Sequence, residues 1–534
     1  MELTEKTVIS SVPVVEEILH DDDDRFTLKL KASEDSVLKT VRAAFSFSFE
    51  RRTDALFANG FQSWTYCPER RVGDSDNSMK YCPGFLDDKH GFSRYSDVFI
   101  TGRAKKGTYR GYSYAYVRRN DIFFLFASMA EDTGFTQITL DPAMGEIRFE
   151  KGCSGRHLKQ GEEYTALDLY FAAGSEDDVF DGWFAAMGIV PMPAKDKMGY
   201  TSWYNCYQDI SEESVLKDLA GMKALERLPD IFQIDDGYEE HGGDWLMVDE
   251  KKFPVGLEPI IRRIQDEGYT PGLWISPFVC EKDSVLFREH PDWLLYDNGE
   301  PVFAGGNWSG TYALDFYNEG LRDYIAECID HYRTMGVSLF KLDFLYGACM
   351  MPRSDRTRGE IMSEAMDFLR QTCGEAEILA CGVPLASAFG KVEYCRIGPD
   401  MTLSYDGELR MKLFHNERPS TKHTQRNTVY RRQLERRAFL NDPDVFLLRE
   451  DNTTLSWEQK LTLAKINALF GSVLFASDDF STYSEEQNRA FTLLCELNHA
   501  TDMKVKVTSL SEKVHRLTIS YRTGDHDHRE DFIL

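Results

Sequence analysis

The stretch LFKLDFLYG, residues 339–347, reads as a buried β-strand, yet it carries Lys341 and Asp343 in its middle. Charged side chains are almost never fully buried unless paired, because an unpaired charge loses several kcal/mol on leaving water. In a strand, residues two apart project to the same face. Lys341 and Asp343 are therefore expected to point together from the end of an apolar strand into one confined space. Either they form a structural ion pair or the strand ends in an active site.

Outward from this run, short apolar segments alternate with longer segments of helical period. The strand candidates are 199–204, 231–238, 271–278, 339–347, 377–382, 393–400, 444–449 and 472–479. Between them lie helical stretches such as SEESVLKDLAGMKALE and EGLRDYIAECIDHYRTMG, several closed by a glycine. Eight strands alternating with helices is the pattern of a (β/α)8 TIM barrel. The first 175 residues read differently. Short alternating strands such as RFTLKLKAS, DIFFLFASM and FTQITLD, separated by Gly, Asp and Asn turns, suggest a β-sandwich. MKVKVTSLSEKVHRLTISYR alternates again near the end. The expected organisation is an N-terminal β-sandwich domain (1–180), a catalytic (β/α)8 barrel (190–485) and a small C-terminal β-domain (490–534).

A chain of 534 residues exceeds one ordinary core, so two or three domains are expected. Its net charge of −26 argues against nucleic acid or an anionic membrane surface as partner, and leaves a neutral ligand open. No run approaches 18 apolar residues, and MELTEKTVISSVPVVEE lacks a basic segment followed by an apolar one. The eleven cysteines are scattered, without a CxxC pair or HExxH motif. This reading expects a cytoplasmic protein with reduced thiols and no structural zinc.

Active sites of such barrels lie at the C-terminal strand ends. Those ends carry Trp203 and Tyr204, Asp235 and Asp236, Trp274, Lys341 with Asp343, Cys381, Arg396 with Asp400, and Asp478 with Asp479. Acidic groups and aromatic rings thus gather on one rim. A KxD pair alone also fits a structural ion pair, and DD before Gly a helix cap or turn. Many acidic strand ends on one rim are harder to ascribe to capping. Two carboxyl groups flanking a glycosidic bond can cleave it, one attacking or activating water and the other protonating the leaving oxygen. Asp343 is the candidate nucleophile, with Lys341 beside it as the cation expected to tune it. Asp400, turned inward after Gly398 and Pro399, is the candidate acid/base, and Arg396 is placed to bind substrate or orient a carboxylate.

These residues resemble glycoside hydrolase family 36, the melibiase-like α-galactosidases. The likeness is carried by NGFQSWT (59–65), SWY, IDDGYE, GLWISPF with HPDWLL, FKLDFLYGA, CGVPLASAFGKVEYCRIGPD and NDPDVFLLR, in family order. By resemblance, Asp343 is the nucleophile and Asp400 the acid/base. Asp235, Asp236, Lys341 and Arg396 match sugar-contacting positions, Trp203, Tyr204 and Trp274 the wall of the −1 pocket, and Cys381 a position close to the ring. The resemblance implies retaining, exo-acting hydrolysis of terminal α-galactosides of the raffinose and melibiose type, with no cofactor and no metal. It leaves open an α-N-acetylgalactosaminide or another α-glycone, galactosyl transfer to a sugar acceptor, and a homo-oligomeric assembly. IDDGYE departs from the pattern at Tyr238, where a tryptophan is expected, and 406–428 is unusually charged.

Overall fold

In the computed structural model, Lys341 and Asp343 stand at the end of the fourth of eight parallel strands. The structure describes residues 1–21, 24–74, 83–95, 97–225, 229–407, 418–511 and 514–534. The barrel strands are β1 (Lys197–Thr201), β2 (Ile231–Ile234), β3 (Thr270–Ile275), β4 (Leu339–Leu342), β5 (Glu377–Ala380), β6 (Tyr394–Arg396), β7 (Leu440–Asp442) and β8 (Val473–Ala476). They pair in parallel in sequence order, and β8 returns to β1. Between β7 and β8 the ring is joined by the Ser472 amide donating to the Asn441 carbonyl and by one bridge between Phe446 and Ala476.

Seven of the eight expected strands overlap an observed one, and most stop short of their expected ends. The chemistry-bearing residues lie just beyond, in loops. β4 stops before Asp343, whose amide still donates to the Ile275 carbonyl at 2.9 Å. β6 stops two residues before Gly398, where the following Pro399 cannot donate to a ladder. The seventh strand differs outright. The apolar run 444–449 is not a strand; Leu-Asn-Asp at 440–442 is. Pro443, with Asp444 at φ 73°, breaks the ladder between them.

The helices on the barrel's outside are set by their caps. Ser211, Thr357, Ser456 and Ser484 each open a helix with a capping box. Between β5 and β6 the only helical turn described is the 3-10 segment Leu385–Ala388. There the N-terminal region packs instead. Trp183 and Phe184 of helix Glu176–Met187 sit against Phe389.

That N-terminal region is a pair of antiparallel sheets of six and seven strands, packed over an apolar core that includes Phe26, Phe45, Phe149 and Leu167. Three antiparallel strands, Thr501–Ser511, Val514–Thr523 and His526–Ile533, form the last sheet. Among the described residues no helix is long and apolar enough to cross a membrane.

Candidate active site

The strand ends open onto a cavity of about 540 Å³, lined by Asp343, Asp400, Asp235, Asp236 and Lys341 among others. Both oxygens of Asp343 are held. Oδ2 accepts from the Trp274 indole N–H at 3.1 Å and Oδ1 from the Phe344 amide at 2.8 Å. The second contact needs a sharp turn, and Phe344 takes φ 51°, an uncommon conformation for a bulky side chain.

The expected partnership of Lys341 with Asp343 is corrected here. Lys341 Nζ donates to Asp235 Oδ2 at 2.8 Å, with side chains 9% and 2% exposed. A long lysine crosses the barrel interior from β4 to the end of β2, and Asp343 already has its own donors. Burial works against the Lys341 charge, but Asp235 and then Asp343 outweigh it, so its pKa ends above the ordinary lysine range. Asp235 also accepts from Thr201 at 3.2 Å and Gln233 at 2.8 Å. Asp236 Oδ2 accepts from the Trp308 indole at 3.0 Å and from Gln208 at 3.3 Å. The turn that aims these two carboxylates requires Gly237: it sits at φ 112°, and a Cβ there would lie 2.7 Å from Gln208 Cα.

Asp400 lines the cavity and keeps 40% of its side chain accessible. Removal from bulk water pushes its pKa up; Arg396 and Lys341 pull it down, Asp343 pushes it up again, and the net direction is upward. A proton donor to a leaving oxygen needs that tuning. Arg396 Nη1 donates to Asp400 at 2.9 Å and Nε to Asp442 at 3.1 Å, while Nη2 lies 2.7 Å from Asp444. The guanidinium is thus spent on three carboxylates and orients Asp400 from behind.

The cavity brings together seven of the ten candidate residues: Asp343, Asp400, Asp235, Asp236, Lys341, Trp203 and Trp274. The other three stand one layer back. Tyr204 is 3% exposed and donates to Asp444 at 2.7 Å. Cys381 is 1% exposed under Trp64, whose indole donates to its sulfur at 3.3 Å. Arg396 is buried as described. Tyr238 is also outside the wall, packed edge-on against Tyr332. Asp478 is fully buried, accepting from the Leu448 and Arg449 amides, and Asp479 caps the turn Phe480–Thr482. Residues 408–417 of the charged segment lie outside the described residues.

Reasoning from strand ends missed Trp308, Gln208 and the wall supplied by the N-terminal region. Trp308, at φ 51°, sits in the hairpin GGNWSG between Phe303–Gly305 and Thr311–Ala313; paired glycines around a tryptophan were its signal. Trp64 belongs to NGFQSWT. It reaches the cavity because the Gly382 amide donates to Ser63 Oγ at 2.9 Å and Ser63 N to the Val383 carbonyl at 2.9 Å. Gly382, at φ 60°, leaves room for the indole, since a Cβ there would meet it at 3.1 Å. Tyr95 closes the same side, its hydroxyl donating to Asn307 at 2.8 Å. Among the described residues, no group of three or more His, Cys, Asp or Glu is arranged to hold a metal ion.

Comparison with known proteins bears on this site. The melibiase family model matches residues 198–361, the segment from β1 through β4. The chain is 31% identical over 137 residues to the alpha-galactosidase AgaA of Geobacillus stearothermophilus, a match covering 24% of this chain and 18% of that protein's length. It is 27% identical over 205 residues to the alpha-xylosidase XylQ of Lactiplantibacillus pentosus, covering 37% of this chain and 26% of that one. The chain therefore spans only a minor part of the curated relatives it matches. A solved alpha-galactosidase from Thermus thermophilus, in complex with stachyose, superposes over 90% of this chain and 99% of its own, at 26% identity and a TM-score of 0.71. With the barrel, the order of its strand-end motifs and these matches in agreement, the chain carries a melibiase domain and is similar to the melibiase-like enzymes of glycoside hydrolase family 36.

Proposed function

We propose that the chain is a retaining, exo-acting α-galactosidase that removes terminal α-galactosyl residues from small oligosaccharides. The observation that carries this reading is the shared cavity of Asp343, held by Trp274 and Phe344, and Asp400, with its raised pKa. Asp343 attacks the anomeric carbon as Asp400 gives its proton to the departing oxygen. The β-galactosyl ester on Asp343 is then opened by a water that Asp400, now ionised, deprotonates, and the α configuration is restored. Asp236 and Lys341, on the cavity floor, bind glycone hydroxyls, and Trp203, Trp274 and Trp308 form the apolar wall against the ring. The Thermus enzyme's complexes with stachyose and with p-nitrophenyl α-D-galactopyranoside support small α-galactosides as the substrate class. The likeness to XylQ favours, as the second reading, the same mechanism on another α-glycone. A cytoplasmic location is the companion proposal, tested by cell fractionation.

The test is turnover of p-nitrophenyl α-D-galactopyranoside by the wild type and by Asp343→Ala, with azide added to the variant. The variant is expected to lose roughly 10³-fold or more in kcat and to recover with azide, yielding a β-galactosyl azide. Proton NMR of the first product should show the α anomer. A folded wild type that ignores the galactoside but cleaves the α-xyloside would shift the glycone; a first product with inverted configuration would end the double-displacement reading.

A further inference from the structure

Glu239, three residues beyond Asp236, has no role in the mechanism above, yet it is 4% exposed beside the cavity floor. Its Oε2 accepts from the Gly237 amide at 3.2 Å, and its carboxyl stands against that of Asp236. The groups that face it offer no counter-charge. Tyr238 and Tyr332 present neutral hydroxyls. Lys252 directs its ammonium to the Gln208 and Gly237 carbonyls, each at 2.9 Å. Asp235, the chain neighbour of Asp236, is already paired with Lys341. Among the described residues Glu239 makes no ion pair.

Asp236 shows the complementary deficit. Its Oδ2 takes the Trp308 and Gln208 donors, but Oδ1 is buried without an N–H or hydroxyl partner. A buried acceptor left unsatisfied costs about 1–3 kcal/mol, more when charged. Two carboxyl groups in contact cannot both ionise, so one proton between them supplies both the missing donor and the missing neutrality. Burial first, and the Asp236 charge second, push the Glu239 carboxyl well above its usual range.

We propose that Glu239 is a positioning residue that stays protonated at neutral pH and donates its proton to Asp236 Oδ1. Asp236 then remains ionised and is gripped from below, and Oδ2 keeps its orientation toward the glycone. The proposal rests on the reading of Asp236 as a glycone-binding residue. Its test therefore includes a measurement that needs no substrate.

Infrared difference spectra of wild type minus Glu239→Gln at pH 8 should show a carboxylic-acid C=O band lost from the variant. Glutamine can still donate to Asp236 without titrating, so Glu239→Gln should keep KM for p-nitrophenyl α-D-galactopyranoside within about twofold of wild type. Glu239→Leu removes the donor and should raise KM by about tenfold or more, the equivalent of one hydrogen bond to a charged group, with kcat changed less. The absence of an acid band in the difference spectrum would overturn the proposal, as would a Gln variant as impaired as the Leu variant. If the galactoside is not a substrate, the functional reading fails in the kinetics while the infrared band still decides the proton.

Discussion

Arg396 carries one positive charge among three carboxylates, and the imbalance reaches the chemistry through Asp400. Burial raises Asp444 to about 6; Arg396 opposes this, and Asp400 and Asp442 add to it. The same repulsion acts back on Asp400; in the proposed mechanism Asp400 must be protonated to release the leaving group, so activity should fall as pH rises through its pKa. Asp444→Asn removes one negative neighbour and leaves Arg396 fewer carboxylates to share. The Asp400 pKa should then drop, moving the alkaline limb of kcat/KM downward by about one unit. A pH profile of the variant checks this, and an unmoved limb would detach Asp444 from the acid. At this scale the charged residues of the rim were readable as types. Their pairings were not: Lys341 met Asp235 because side-chain reach across the barrel is a matter of three-dimensional strand order.

Among the elements, β7 shows why a strand can be invisible to pattern reading. Its residues Asn441 and Asp442 are polar and buried, and the apolar run that follows looks more like a strand than the strand itself. Asp442 serves Arg396 at one end, while at the other the Asn441 amide donates to Glu435 Oε2 at 2.7 Å and Ser472 donates to Glu435 Oε1. Glu435 thus fastens the segments leading into β7 and β8, where the barrel closes. Burial, only partly offset by those hydrogen bonds, raises its pKa from 4.5 to about 7. Between these values the unfolded chain gives up a proton that the folded chain keeps, so Glu435 makes stability fall as pH rises through that window and level off above it. Glu435→Gln should remove this part of the slope. Thermal midpoints measured from pH 4.5 to 7 in both proteins test it, and identical slopes would exclude Glu435 as the source.

For the molecule as a whole, the cavity at the strand ends is a joint product of two regions. Arg431, fully buried, donates to Asn59 Oδ1 at 3.0 Å, to the Gln62 carbonyl at 3.1 Å and to the Ile397 carbonyl at 2.8 Å, and Asn427 Nδ2 donates to the Thr65 carbonyl at 2.8 Å. These bonds seat 59–67 on the barrel and carry Trp64 to the cavity. Arg431→Ala leaves several buried acceptors without a donor and should cost about 3 kcal/mol. It should also loosen the sandwich from the barrel, so that calorimetry shows two transitions in place of one, with turnover lost in the first. A single transition at the wild-type temperature would deny Arg431 that role. The sequence by itself determined the alternation that makes a barrel, the strand run around Lys341 and Asp343, and the acidic rim. Periodicity and burial cost are local properties, and they can be read locally. Only the tertiary structure decided which cation faces which carboxylate, which polar triplet is the seventh strand, and that a tryptophan from a turn of the N-terminal region walls the cavity. Those follow from contacts between residues far apart in the chain, whose geometry no local pattern encodes.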